Sequence, residues 1–193
     1  MKKLFTFFSV LFLPVCLIAG QYVSLQVGPD YCYRTDDNDH GQKVGYKVGG
    51  SYGYKFINGI RGEVELAYRN GHKRTVYVYS DGGADSKTHV SGHSMSYMAN
   101  FLYDVGGLST YGIVPYLGAG VGLCSNTYNL KTQKNDSVTN RDHGKDDRFA
   151  WQAIVGAKYP IADQLDMGLE YKYFCGQYHA KNHSISAVLV RSF

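Results

Sequence analysis

Charged side chains of both signs recur at alternate positions in stretches that are otherwise apolar. Arg61, Glu63, Glu65 and Arg69 share one parity of a single segment, and Asp166, Glu170 and Lys172 share one parity of another. Lys47 and Lys55, Asp104, and Gln152 with Lys158 stand in the same kind of context. Alternate residues of a strand project to one face, so these groups converge on a common surface. Two chemistries need such a set. Lys47, Arg61, Glu63, Glu65, Arg69, Asp104, Lys158, Glu170 and Lys172 could line an ion path, or they could form a salt-bridged plug in place of a hydrophobic core. In an enclosure as narrow as eight strands would leave, long Arg and Glu side chains favour the plug.

Other residues with chemical potential are less organised. The seven histidines, His40, His72, His89, His93, His143, His179 and His183, fall in or beside polar stretches. Only His89 and His93 have a strict ligand spacing, and off a helix that spacing is weak. Solvated imidazoles are the expected reading, rather than a transition-metal or acid-sensing site. "THVSGHSMS" (88–96) supplies His and Ser together, as a lipid hydrolase would need, but no acidic partner accompanies them. No catalytic residue, metal or cofactor is expected. Cys32, Cys124 and Cys175 stand near matching ends of their segments. An exported protein can form disulfides. The first and fifth segments would lie on opposite sides of a closed sheet, beyond the roughly 7 Å that a bridge allows. The odd count leaves a free thiol or an intermolecular bond, and unpaired rim cysteines are expected.

The elements that must position these residues are strands. Tyrosine (18) and glycine (23) are both abundant, and Tyr suits strands and half-wet surfaces. Residues 1–20, "MKKLFTFFSVLFLPVCLIAG", have a positive start, an apolar run and small residues before Gln21, the layout of a secretory signal peptide. That leaves residues 21–193 as one domain. Removing Lys2 and Lys3 lowers the formal charge of +4 by two, and such a balance does not point to nucleic acid. "YGIVPYLGAGVGLC" (111–124) is apolar enough to suggest a helix. However, Gly118, Gly120 and Gly122 share one parity and Leu117, Ala119, Val121 and Leu123 the other, which is period two.

Eight strands are predicted, roughly 22–33, 43–56, 60–70, 93–105, 113–125, 148–159, 165–175 and 183–193. Long polar connections alternate strictly with short ones. This is the pattern of an eight-stranded antiparallel up-and-down β-barrel with its long loops at one end. In "KVGYKVGGSYGYKF" (43–56), one face is Lys, Gly and Ser while the other is Val, Tyr and Phe. A soluble barrel would turn the apolar face inward. Here the alternative face holds glycine and charges of both signs, including Gly45, Gly49, Gly53, Gly156 and Gly168, and a narrow barrel interior suits that mixture. Ile60, Val64, Leu66 and Tyr68, then Phe149, Trp151, Val155 and Tyr159, then Leu165, Met167, Leu169, Tyr171 and Tyr173, form the outward face. Aromatics near strand ends would sit at the two bilayer interfaces. The expected structure is therefore a transmembrane barrel, whose closure satisfies every strand edge in lipid.

"VPYLGAGVGL" (114–123), "FAWQAIVGAKYPI" (149–161), "LDMGLEYKYF" (165–174) and the terminal Phe193 resemble the opacity-type outer-membrane barrels. The same stretches are similar to the surface antigens of intracellular bacteria and, more distantly, to the outer-membrane protein A barrel. The resemblance implies a place in the bacterial outer membrane, with the long loops facing the exterior. It also implies contact with outer-membrane lipid and with the outer-membrane assembly machinery, which would read Phe193. Family members include adhesins, immune-exposed antigens and some narrow pores. Two features depart from the pattern. Arg191 replaces the usual aromatic or apolar residue third from the end. Pro29 removes a ladder donor from the first strand, which suits the outer rim or a bulge.

A non-enzymatic surface barrel whose loops contact host surface molecules or the environment is the function expected. A narrow porin-like channel is the alternative, and a lipid-modifying enzyme is a more remote one. Within the loops, "GHKRTVYVYSDGG" (71–83) stands out. Its alternating Val and Tyr suggest a hairpin extended beyond the membrane, with Asp81 and Gly82 at the turn. Arg74, Tyr77 and Tyr79 are the candidate contact residues.

Overall fold

Alternation with period two across nearly the whole chain dictates strands, and the computed structural model consists of them. It describes residues 20–34, 43–78, 86–106, 111–134, 137–177 and 180–193. Residues 1–19, which cover nearly all of the expected signal peptide, lie outside the described residues. The strands are β1 (Gly20–Arg34), β2 (Lys43–Lys55), β3 (Ile60–Val78), β4 (Ser86–Asp104), β5 (Val114–Lys134), β6 (Ser137–Ala162), β7 (Leu165–Gln177) and β8 (Ala180–Ser192). Each pairs antiparallel with its neighbours in sequence, and β1 pairs with β8, so the sheet closes into an eight-stranded barrel.

The short connections demand special backbone. Between β2 and β3, Asn58 and Gly59 both take positive φ, 65° and 79°, as a tight hairpin twist requires. Gln164 (φ 63°) turns β6 into β7. At the same end Phe193 N–H donates to Gln21 O at 2.9 Å, so the start of β1 and Phe193 lie with the short turns. The seam between β1 and β8 is tight. A Cβ on Gly28 would overlap the backbone carbonyl of Ile185. Beside it, the ladder skips Gly28 and Pro29 and resumes in the same register at Asp30 opposite Ser184. Pro29 therefore causes a gap in pairing and not a bulge, because no residue is inserted.

The strand centres fall where the alternation places them, but four of the ends do not. β3 and β4 pair as far as Val78 opposite Ser86. β5 and β6 pair as far as Lys134 opposite Ser137. Most of the long polar connection expected between the fifth and sixth strands is thus hairpin rather than irregular chain. β3 leaves the barrel proper at a register shift between Asn70 and His72, a one-residue insertion that re-aims a strand. The expected hairpin extension of 71–78 is present, while Tyr79 and the Asp81–Gly82 turn lie outside the described residues.

Candidate functional site

The inward parity carries the polar residues. Lys47, Arg61, Glu63, Glu65, Arg69, Lys158, Glu170 and Lys172 are all buried, and the Asp104 carboxylate is largely so. They fall into three layers along the barrel axis. Nearest the short turns, Arg61 Nη2 lies 2.8 Å from Asp104 Oδ1, and Lys158 Nζ lies 2.6 Å from Asp104 Oδ2. The Arg61 guanidinium also sits 4.8 Å from the Tyr116 ring centroid and 5.6 Å from that of Tyr22, within cation–π range.

Glu65 centres the middle layer. Its Oε2 accepts from Lys172 Nζ at 2.6 Å, Asn100 Nδ2 at 2.8 Å and Gln152 Nε2 at 3.0 Å. Its Oε1 lies 3.3 Å from Lys47 Nζ. Lys47 and Lys172 both donate to Gln26 Oε1, at 2.9 and 3.0 Å. Lys172 also pairs with Glu170 at 3.0 Å. Glu63 accepts from Asn100 Nδ2 and from the Tyr22 hydroxyl, at 2.9 and 2.7 Å.

Toward the long hairpins, Arg69 Nη1 donates to Ser96 Oγ at 2.7 Å. Its guanidinium lies 3.8 Å over the Phe174 ring centroid. Arg69 Nε is 3.8 Å from Asp30 Oδ1, while Asn182 Nδ2 donates to Asp30 Oδ2 at 2.7 Å. Small residues make room for these groups. Gly53 faces Tyr22, Gly120 faces Asn100 and Gly156 faces Tyr116 across strand pairs. A Cβ on any of the three would collide with the large side chain opposite.

Asp30, Tyr22, Tyr116, Asn100 and Gln26 belong to this interior and are absent from the residues singled out by sequence. Their parity is the readable signal. Tyr22, Ser24 and Gln26 share one face of β1, and Tyr116 shares the face of Gly118 and Gly120. With Asp30 included, the bases Lys47, Arg61, Arg69, Lys158 and Lys172 are matched one for one by Asp30, Glu63, Glu65, Asp104 and Glu170. Neutralised and hydrogen-bonded charges can occupy a low-dielectric interior that isolated ones cannot.

The outward parity is apolar. Val64, Leu66, Phe101, Leu117, Val121, Val155 and Leu169 are exposed on it. Toward the long hairpins this band ends in linked rings. Tyr46 packs on Tyr68, Tyr68 on His93, Trp151 on Tyr173 and Tyr173 on His183, with centroids between 5.2 and 6.4 Å apart. The Tyr171 hydroxyl lies 2.6 Å from His183 Nδ1. Tyr52, Tyr103 and Tyr159 ring the other end. An apolar band between two aromatic girdles matches a bilayer and its interfaces.

The remaining candidates separate. His93 stands in the outer girdle, whereas Ser96 is buried inside against Arg69, so this His and this Ser of "THVSGHSMS" lie on opposite faces of the strand. His40 and His179 lie outside the described residues, as do the side chains of His72, His89 and His143. Cys32, Cys124 and Cys175 are thiols. Cys124 packs inside with Met98, Ala150 and Phe174. Arg74 and Tyr77 are in the projecting part of β3, opposite Val90 and Lys87 of β4.

The outer membrane protein beta-barrel domain model matches residues 17–193. An outer membrane protein of Gluconacetobacter diazotrophicus is 30% identical over 188 residues, covering 81% of this chain and 46% of that protein. The outer membrane protein PagN of Salmonella typhimurium is 33% identical over 83 residues, 40% of this chain and 32% of PagN. The chain thus spans less than half the length of these two curated relatives. Among solved structures, Neisserial surface protein A superposes with a TM-score of 0.60 at 19% identity, covering 90% of this chain and 97% of its own. The Yersinia pestis attachment invasion locus protein, solved with a heparin analogue, superposes at 0.54 and 11% identity, covering 92% and 100%. With its girdled apolar exterior and paired charged interior, the chain belongs to the outer membrane protein beta-barrel domain family, a bacterial outer-membrane barrel.

Proposed function

We propose that this chain is a non-catalytic surface barrel whose long hairpins face the cell exterior and contact host molecules or other surfaces. The observation that carries this reading is the contrast between its two ends. One end has tight turns, while at the other β3 with β4 and β5 with β6 project well past the aromatic girdle. From Gly71 to Val78 alone the projection is about 24 Å of strand. Outer-membrane barrels keep short turns in the periplasm and long loops outside, which supports this orientation. Residues inside the membrane band are committed to lipid or to the charge network, so recognition falls to the projecting hairpins. The three interior layers oppose a channel, because each carries paired side chains across the lumen.

The test is adhesion by a non-adherent bacterium displaying the barrel. The wild-type form is expected to confer adherence to host cells or matrix. A form with residues 74–88 trimmed to a short turn is expected to keep its heat-dependent gel shift and lose most of that adherence. Equal adherence by both forms, or none by the wild type, would remove the adhesin reading. Steady, resolved single-channel openings from the wild-type barrel would favour the pore.

A further inference from the structure

The outward parity is apolar around the barrel, with one basic exception. Arg191 is exposed, between buried Val190 and half-buried Ser192, and continues the outward row of Ile185, Ala187 and Leu189 on β8. Among the described residues it is the only Lys or Arg that faces outward between the two girdles or within the one nearer the short turns. Its depth follows from the register. Tyr52 stands opposite Val23, and Val23 opposite Arg191, so Arg191 is level with a girdle tyrosine, about 10 Å away across β1. An ionised side chain on a lipid-facing surface calls for a partner. The sheet supplies none. The cross-strand neighbours of Arg191 are Val23 and Leu165, and it forms no ion pair with Asp163, Asp166 or any other described residue.

Polar donors gather beside it. Gln21 is one outward position beyond Val23 on β1, diagonal to Arg191, and such neighbours lie about 7–8 Å apart. The Tyr52 hydroxyl donates to Gln21 Oε1 at 3.1 Å and is 2.9 Å from the Tyr54 hydroxyl, which leaves Gln21 Nε2 as the donor end of that amide. Lys55 Nζ donates to Ser192 Oγ at 2.6 Å, a second cation at this rim without a described carboxylate in ion-pair range. In the next row toward the hydrocarbon, Leu25, Leu189 and Met167 are exposed. A guanidinium at headgroup depth, with neutral donors beside it and an apolar strip leading away, suits a phosphate carried on acyl chains. We infer that the seam between β8 and β1 holds one anionic glycerophospholipid of the leaflet at the short turns, with the Arg191 guanidinium on its phosphodiester. Arg191 and Lys55, neither paired with a carboxylate, select an anionic headgroup over a zwitterionic one. This site is on the barrel wall and is independent of what the long hairpins contact.

The experiment offers refolded barrel in detergent an equal mixture of phosphatidylglycerol and phosphatidylcholine, and counts retained lipids by native mass spectrometry. Wild type is expected to retain one phosphatidylglycerol in preference to phosphatidylcholine. Arg191→Gln is expected to weaken that retention about tenfold, and Arg191→Lys less, because an ammonium keeps the charge and loses the bidentate fork. Lys181→Gln removes an exposed cation near the opposite girdle, beside Tyr33 and Cys175, and is expected to change nothing. The heat-dependent gel shift confirms that each variant has folded. In isotope-labelled wild type, the Arg191 Nε–H resonance is expected to move on addition of phosphatidylglycerol and not of phosphatidylcholine, a readout that needs no variant. Equal retention of the two lipids would reduce Arg191 to a general interfacial anchor and overturn the site. Equal losses in Arg191→Gln and Lys181→Gln would mean diffuse charge attraction and overturn it as well. Lower surface levels of Arg191→Gln in cells, with lipid retention unchanged, would give the residue to the assembly machinery instead.

Discussion

Glu65 touches side chains from four other strands: Lys47 on β2, Asn100 on β4, Gln152 on β6 and Lys172 on β7. Removing its carboxylate leaves two fully buried ammonium groups without their shared counter-ion. Glu65→Ala is expected to cost about 3–5 kcal/mol, the usual penalty for breaking a buried pair from one side. Denaturant unfolding of the refolded barrel, followed by Trp151 fluorescence, measures it. Lys47→Met in the Glu65→Ala background should recover part of the loss, because Glu65 is the carboxylate paired with Lys47, and a Glu65→Ala barrel as stable as wild type would show that the network is dispensable. Gly120 and Ala119 give a sharper contrast. A Cβ at Gly120 meets Asn100 Oδ1, so Gly120→Val should displace Asn100 from Glu65 and destabilise the barrel. Ala119→Val, one residue away on the lipid side, should be nearly silent. Equal effects at the two positions would contradict the inside–outside assignment.

Within an element, the two faces answer to different solvents. Leu169 is 65% exposed and Glu170 is buried, although they are adjacent on β7. Leu169→Arg or Val64→Arg places a charge against hydrocarbon, at a cost of about 2–4 kcal/mol near the midplane. The heat-dependent gel shift after refolding into lipid reads the effect, and unimpaired folding of both variants would invert the assignment. This face logic was legible in the sequence because alternation needs no knowledge of the partner strand. Lys47, Gly49, Ser51 and Gly53 on one side of β2, against Val48 and Tyr52, carry it unaided. Tyr22 and Tyr116 were harder to place, since their residue type points to lipid while their parity points inward. Only the register, which sets them opposite Gly53 and Gly156, shows where they fit. Strand length beyond the girdle was legible for 71–78, where Val and Tyr alternate. It was not legible for 126–134 and 137–147, where Asn, Asp, Lys and Gly are poor strand formers and pairing of β5 with β4 and with β6 holds the backbone extended. Asp30 shares the inward parity of Tyr22 and Gln26, but its pairing with Arg69, two strands away, is a proximity that local pattern cannot supply.

For the molecule as a whole, the chain ends matter out of proportion to their size. Phe193 donates its N–H to Gln21 O, yet its side chain is 66% exposed, so little core packing depends on the ring. If the assembly machinery reads it, deleting Phe193 should lower surface levels in cells far more than refolding yield in detergent. Equal losses in the two assays would confine its role to packing. The junction it borders differs from the other seven. Those are hairpins between consecutive strands, whereas β1 with β8 joins Tyr22 to Ser192 across nearly the full chain and skips two pairs at Gly28 and Pro29. Long-range pairing of this kind is slow to find, and until it forms two open edges face hydrocarbon, which does not tolerate them. If zipping of this gapped seam limits insertion, Gly28→Val should slow it. The time course of the compact gel band in lipid measures the rate, with Gly144→Val, whose Cβ meets nothing within 4 Å, as the unaffected control. Equal rates for the two variants would move the slow step elsewhere. A seam that closes last would also open first, and the lifetime of the finished barrel in the membrane would then follow the escape rate of β1 from β8 rather than the summed strength of the sheet.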